Sequence, residues 1–147
     1  SAHITNRPGR PILKAIVPGG RGELGKEHIA WELNRSVPEI PSPIFYRDQI
    51  YMVRNGGTLA AVDPDTGKLS YRGRLGGTGQ YSASPVAANG HLYLLSDEGT
   101  LSVVKAGSKF EMAHRFQLPE PASVSPALDE DTLYIRGTSH LWAYRSR

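Results

Sequence analysis

A chain of 147 residues that is 39% hydrophobic and 21% charged can bury a core, and it reads as one compact globular unit. Seventeen Lys and Arg against 14 Asp and Glu leave a formal charge of +3, spread along the chain without the tight basic cluster and stacking aromatics of a nucleic-acid surface. With no cysteine, disulfides and thiolate metal sites are excluded; no apolar run approaches the roughly 18 residues of a membrane span; and 16 Gly with 11 Pro favour short elements joined by turns.

The opening residues, SAHITNRPGR, lack the apolar core of a secretory signal. Residues 11–17 (PILKAIV) are the first extended segment, expected as a third strand. Residues 18–22 (PGGRG) lack the Gly-Lys-Ser/Thr of a phosphate loop and its strand–helix setting, so they read as a turn, extended by an exposed loop over 21–27. Residues 28–33 (HIAWEL) follow as a fourth strand.

From Ser42 the sequence repeats. SPIFYRDQIY, SPVAANGHLY and SPALDEDTLY begin at Ser42, Ser84 and Ser125, spaced 42 and then 41 residues. GGTLAAVD, EGTLSVVK and, after a spacer one residue shorter, TSHLWAYR follow them in turn. A period of about 40–45 residues is that of four-stranded propeller blades. Each repeat parses into two strands around a tight turn at Arg47-Asp48, Asn89-Gly90 or 129–131. A second turn comes at 55–57, 97–99 and 137–139, and a third strand at 58–62, 100–104 and 140–144. Fourth strands are expected at 68–75 and 110–118. No segment carries the caps and periodicity of an amphipathic helix.

The expected fold is therefore all-β, a β-propeller of four-stranded antiparallel blades. Residues 11–40 hold the last strands of a preceding blade with a turn insertion. Residues 41–80 and 81–122 form a blade each, and 123–147 an incomplete blade lacking its fourth strand. Rings close with about four to eight blades. Either further blades in a longer chain or self-association should then complete this one; two copies would supply about six blades, with strand 11–17 displaced or packed outside.

The repeats, the stretch AVDPDTGKLSY (61–71), YSASPVAANGHLYLLSDEGTLSVVKAG and the final YIRGTSHLWAY resemble the PQQ-like (quinoprotein) β-propeller family, from about Pro11 onward. The resemblance implies a ring of commonly about eight blades and export to the periplasm or cell surface. Some members of the family are quinone-dependent alcohol or glucose dehydrogenases. Others, such as the lipoprotein scaffold of the outer-membrane β-barrel assembly machine, have the same blades and no cofactor. Ala61, Asp63, Thr66 and Gly67 match the family's tryptophan-docking motif, and Tyr71 stands where Trp is usual. These positions have a structural reading. Asp63 and Thr66 can bond the turn backbone, Gly67 can take positive φ, Ala61 leaves room for the next blade, and Tyr71 lies between blades with its polar tip on backbone.

A quinone enzyme would need a Glu/Asn/Asp metal set, a catalytic Asp and, in many cases, a vicinal cysteine pair. None maps onto this chain, so no catalytic, cofactor-binding or metal-ligating residue is assigned and no cofactor is expected. PQQ and Ca²⁺ enter only under the alternative, a fragment of a quinone-dependent dehydrogenase whose ligands lie in other blades. The Ser-Pro pairs lack the Gly-x-Ser-x-Gly elbow of a nucleophile and read as strand starts. The five His never fall at metal-ligand spacing; His91 and His140 are expected inside strands. The 55–57, 97–99 and 137–139 turns share one face with the blade-linking loops. There Arg54, Tyr81, Asp97 and Arg136 are the candidate partner-facing residues of a non-catalytic scaffold for a protein or carbohydrate partner.

Overall fold

The computed structural model describes residues 2–7, 10–77 and 79–145. Strands β1 (Ala2–Arg7), β2 (Arg10–Ile16) and β3 (Ile29–Leu33) form a three-stranded first sheet in that order. The second holds β4 (Ile44–Tyr46), β5 (Gln49–Arg54), β6 (Thr58–Val62) and β7 (Leu69–Arg74). The third holds β8 (Val86–Ala88), β9 (His91–Leu95), β10 (Thr100–Lys105) and β11 (Met112–Gln117). A three-stranded fourth sheet holds β12 (Ala127–Asp129), β13 (Thr132–Arg136) and β14 (Leu141–Arg145). Every pairing is antiparallel between consecutive strands, so each sheet is a meander, the unit of a propeller blade. The one helical element among the described residues is a 3₁₀ turn, Lys26–His28. Of the residues expected in the last blade, Ser146 and Arg147 lie outside the described residues, as does Thr78 in the loop between the middle blades.

Turn chemistry explains the hairpins. Arg47 and Asp48 (φ 48° and 57°) and Asn89 and Gly90 (φ 48° and 78°) all take the left-handed region, as a two-residue turn matched to strand twist requires. Strand 11–17 is found as β2, the middle strand of its sheet, hydrogen-bonded to β1 and β3. Segment 2–7 carried no strand signal in the sequence and becomes one because β2 offers it an edge. His140 sits in the turn just before β14 rather than inside a strand.

Side chains alternate between the two faces of each blade, so the core lies in three seams between blades. Met52, Ala60 and Val62 meet Leu13, Trp31 and Val37 in the first seam. Tyr51, Val53, Leu59 and Ala61 meet Leu92, Leu94 and Val104 in the second. Leu95 and Leu101 meet Leu133 and Ile135 in the third. Burial on both faces is why β6 reads as a nearly continuous apolar run. The Ser-Pro starts tie the blades together directly: the Ser42 amide donates to Ser84 Oγ, and the Ser84 amide to Ser125 Oγ, both at 2.9 Å.

Candidate functional site

The motif at 61–71 builds a turn and receives a neighbour. Asp63 Oδ1 accepts from the Asp65 amide (3.1 Å), the Thr66 amide (2.8 Å) and Thr66 Oγ1 (2.7 Å). These bonds, led by the Thr66 hydroxyl, hold the Asp63 carboxyl below its usual range. Gly67 takes φ +68°. The residue seated on this turn is Trp31 of the first blade. Its Nε1 donates to Pro64 O at 2.8 Å, and its ring occupies the space a Gly67 Cβ would need, 2.6 Å from Cδ2.

Trp31 was not singled out in the sequence, and strand pairing is what identifies it. A register shift follows Ala15, Ala61 and Val103, and opposite these three stand Trp31, Tyr71 and His114. Tyr71 is thus the next blade's counterpart of Trp31, half-buried in the second seam and edge-on to Phe110 at 6.0 Å. Its hydroxyl is buried without a hydrogen-bond partner among the described residues, not aimed at backbone as expected, and burial pushes the phenol well above its ordinary pKa. Bonds to backbone in this seam are made by Tyr51, whose hydroxyl accepts from the Gly107 amide at 2.8 Å, and by Tyr46, whose hydroxyl accepts from the Gly90 amide at 2.9 Å.

The face carrying the 55–57, 97–99 and 137–139 turns divides its four expected residues. Tyr81 is no surface residue: it is fully buried in the second seam, and burial pushes its phenol up to about 12. The missing side chains of Gly57 and Gly77 make its room, since a Cβ on Gly77 would lie 2.6 Å from the phenol oxygen. Asp97 is committed internally, Oδ1 accepting from the Ser82 amide (2.8 Å) and Oδ2 from Ser82 Oγ (2.7 Å). Arg136 is exposed, donates to Gly137 O at 3.1 Å and shares a small hollow of about 100 Å³ with Asp97.

Glu120, unremarked in the sequence, organises the turn next to that hollow. Its carboxylate accepts from Trp142 Nε1 (2.8 Å), Thr138 Oγ1 (2.9 Å) and the amides of Ser139 (2.9 Å) and His140 (3.0 Å). Burial works against its charge, but these donors, Trp142 foremost, outweigh it and hold the carboxyl at about 2.

Arg54 lies beside the 55–57 turn, in a groove between the first and second blades. One part, about 580 Å³, is lined by Ser36, Asn55, Arg54, Arg72 and Arg74; the other, about 280 Å³, adds Arg35 and shares Arg54 and Arg72. All four guanidinium-bearing residues are exposed. Arg54 pairs with Glu39 at 3.0 Å, and Arg74 Nη1 donates to Gly56 O at 3.0 Å. Arg35 and Arg72 form no ion pair among the described residues. No group of three or more His, Asp or Glu able to hold a metal occurs among the described residues.

A family model described as outer membrane protein assembly factor BamB matches residues 25–147. No curated protein matches the sequence. Among solved structures, BamB from Moraxella catarrhalis is similar with a TM-score of 0.72 at 15% identity, covering 98% of this chain and 42% of that one. Quinohemoprotein alcohol dehydrogenase ADHIIG from Pseudomonas putida HK5 gives 0.62 at 14% identity, with coverage of 90% and 27%. A europium-containing methanol dehydrogenase gives 0.56 at 12%, with coverage of 82% and 23%. The chain thus spans less than half the length of each. At such identities the likeness is one of fold, and this fold serves an assembly factor and two dehydrogenases alike.

Proposed function

The chain belongs to the PQQ-like repeat β-propeller family whose model is described as outer membrane protein assembly factor BamB, and from that premise we propose that it is a non-catalytic scaffold acting outside the cytoplasm. It presents the face with the 55–57, 97–99 and 137–139 turns to a protein partner. One observation carries this reading: three carboxylates of that face, Asp97, Glu39 and Glu120, are spent on holding turns. Asp97 clamps Ser82, Glu39 bonds Arg54 and the Asn55 amide, and Glu120 gathers four donors. A general base works best with a pKa near the operating pH, and Glu120 sits far below it.

The second reading, a piece of a quinone-dependent dehydrogenase, is favoured by the fold shared with two such enzymes. The described residues do not fit the cofactor. The aromatic that could stack on a quinone, Tyr81, is closed inside a seam, and both oxygens of the nearby Asp97 carboxylate already have donors. Titration with PQQ and Ca²⁺, followed by absorbance and calorimetry, tests the choice. The scaffold reading expects no saturable signal; stoichiometric binding would restore the enzyme.

Self-association, or further blades in a longer chain, would complete the ring. Its support is the edge position of β14 in a three-stranded sheet, since an uncovered edge invites pairing.

A further inference from the structure

We propose that the arginine groove between the first and second blades docks an extended acidic peptide segment of the scaffold's partner. This rests on the scaffold reading and adds to it the chemistry of what is bound. The groove is a geometric product of blade packing. Arg54 and Arg74 stand in one row across the sheet, each paired with Thr58, which places them about 10 Å apart. Arg72 and Arg74 are alternate residues of β7 on one face, about 7 Å apart, the spacing of side chains i and i+2 on an extended chain. Arg35 extends the charge across the seam from the loop after β3.

The groove already shows how it holds a carboxylate. Glu39 offers Oε1 to the Arg54 guanidinium at 3.0 Å and Oε2 to the Asn55 amide at 3.2 Å. Arg35 and Arg72 have no such partner among the described residues, while Arg74 spends one nitrogen on a backbone carbonyl. Guanidinium forks suit planar carboxylates arriving in sequence, and β7, the last strand of its sheet, lays beside them an edge that an extended segment can follow. A compact phosphate would call for donors converging on one point, whereas these are spread about 7–10 Å apart over the groove.

The test is fluorescence anisotropy of a labelled peptide of alternating Glu and Ser titrated with the whole chain. Saturable binding is expected, lost in about 1 M salt, where the screening length falls to about 3 Å. Arg72→Ala with Arg74→Ala should weaken it about tenfold, the scale of losing charge-assisted bonds. Lys109→Ala, an exposed cation on the opposite face, should change it by less than about twofold. Absence of peptide binding overturns the proposal, as does an equal loss on Lys109→Ala. Tighter, arginine-dependent binding to phosphatidylglycerol vesicles overturns it in favour of a lipid surface. A chain that takes up PQQ would sink the scaffold reading and leave the anisotropy result standing, so the two failures are distinguishable.

Discussion

Replacing Gly67 by Ala probes the seam between the first two blades. Gly67 has φ +68°, where a Cβ costs about 1–2 kcal/mol. The new carbon would also lie 2.6 Å from Cδ2 and 2.7 Å from Cε3 of Trp31, well inside the optimum of about 3.5–4.0 Å. The obstacle is a fused ring, 9% exposed and tethered by its bond to Pro64 O, so it must shift as a body. Overpacking of this kind costs about 1–3 kcal/mol, giving about 2–5 kcal/mol in all. Trp31→Ala removes the obstacle at its own cost of about 3–5 kcal/mol. In that background Gly67→Ala should cost only its backbone share, about 1–2 kcal/mol, leaving a coupling of about 1–3 kcal/mol. Urea unfolding followed by far-UV circular dichroism measures all four proteins, since Trp31 is itself one of the two tryptophans. Costs that simply add in the double variant would refute the docking of Trp31 on Gly67.

Two tyrosines of the second seam should part company in thermal melts. Tyr51→Phe loses the bond to Gly107 and should cost about 1 kcal/mol, whereas Tyr71→Phe removes a hydroxyl that is buried without a partner and should leave Tm unchanged or raise it. Tyr71→Ala, which empties the seam, should cost about 2–4 kcal/mol; a melt matching wild type would contradict its role between blades. For Glu120 the folded pKa of about 2 lies below the ordinary 4.5, so its stabilisation is complete above that ordinary value and disappears as pH falls towards 2. Glu120→Gln should accordingly be less stable than wild type near neutrality, with the gap closing between about pH 5 and pH 2. A gap that stays constant over that range would mean the carboxylate charge is not what holds the 138–140 turn.

Local rules made much of this protein legible from its sequence alone. The Ser-Pro period set the blades, because each repeat must return to the same place to start a new first strand. Asn89-Gly90 set a hairpin because both residues tolerate positive φ, and Asp63, Thr66 and Gly67 specified their turn because their bonds are made within a few residues. What depends on one blade lying against another was hidden. Trp31 and Gly67 belong to different blades, and only the shared register shifts reveal Trp31 as the counterpart of Tyr71. Tyr81 in a linking loop reads as exposed until two blades close over it. Arg35, Arg54, Arg72 and Arg74 look like dispersed surface charge along the chain, and Arg54 alone was expected at a binding face. Packing the second blade against the first brings them to one groove, since strand pairing aligns residues distant in sequence and the seam adds the loop from the blade before.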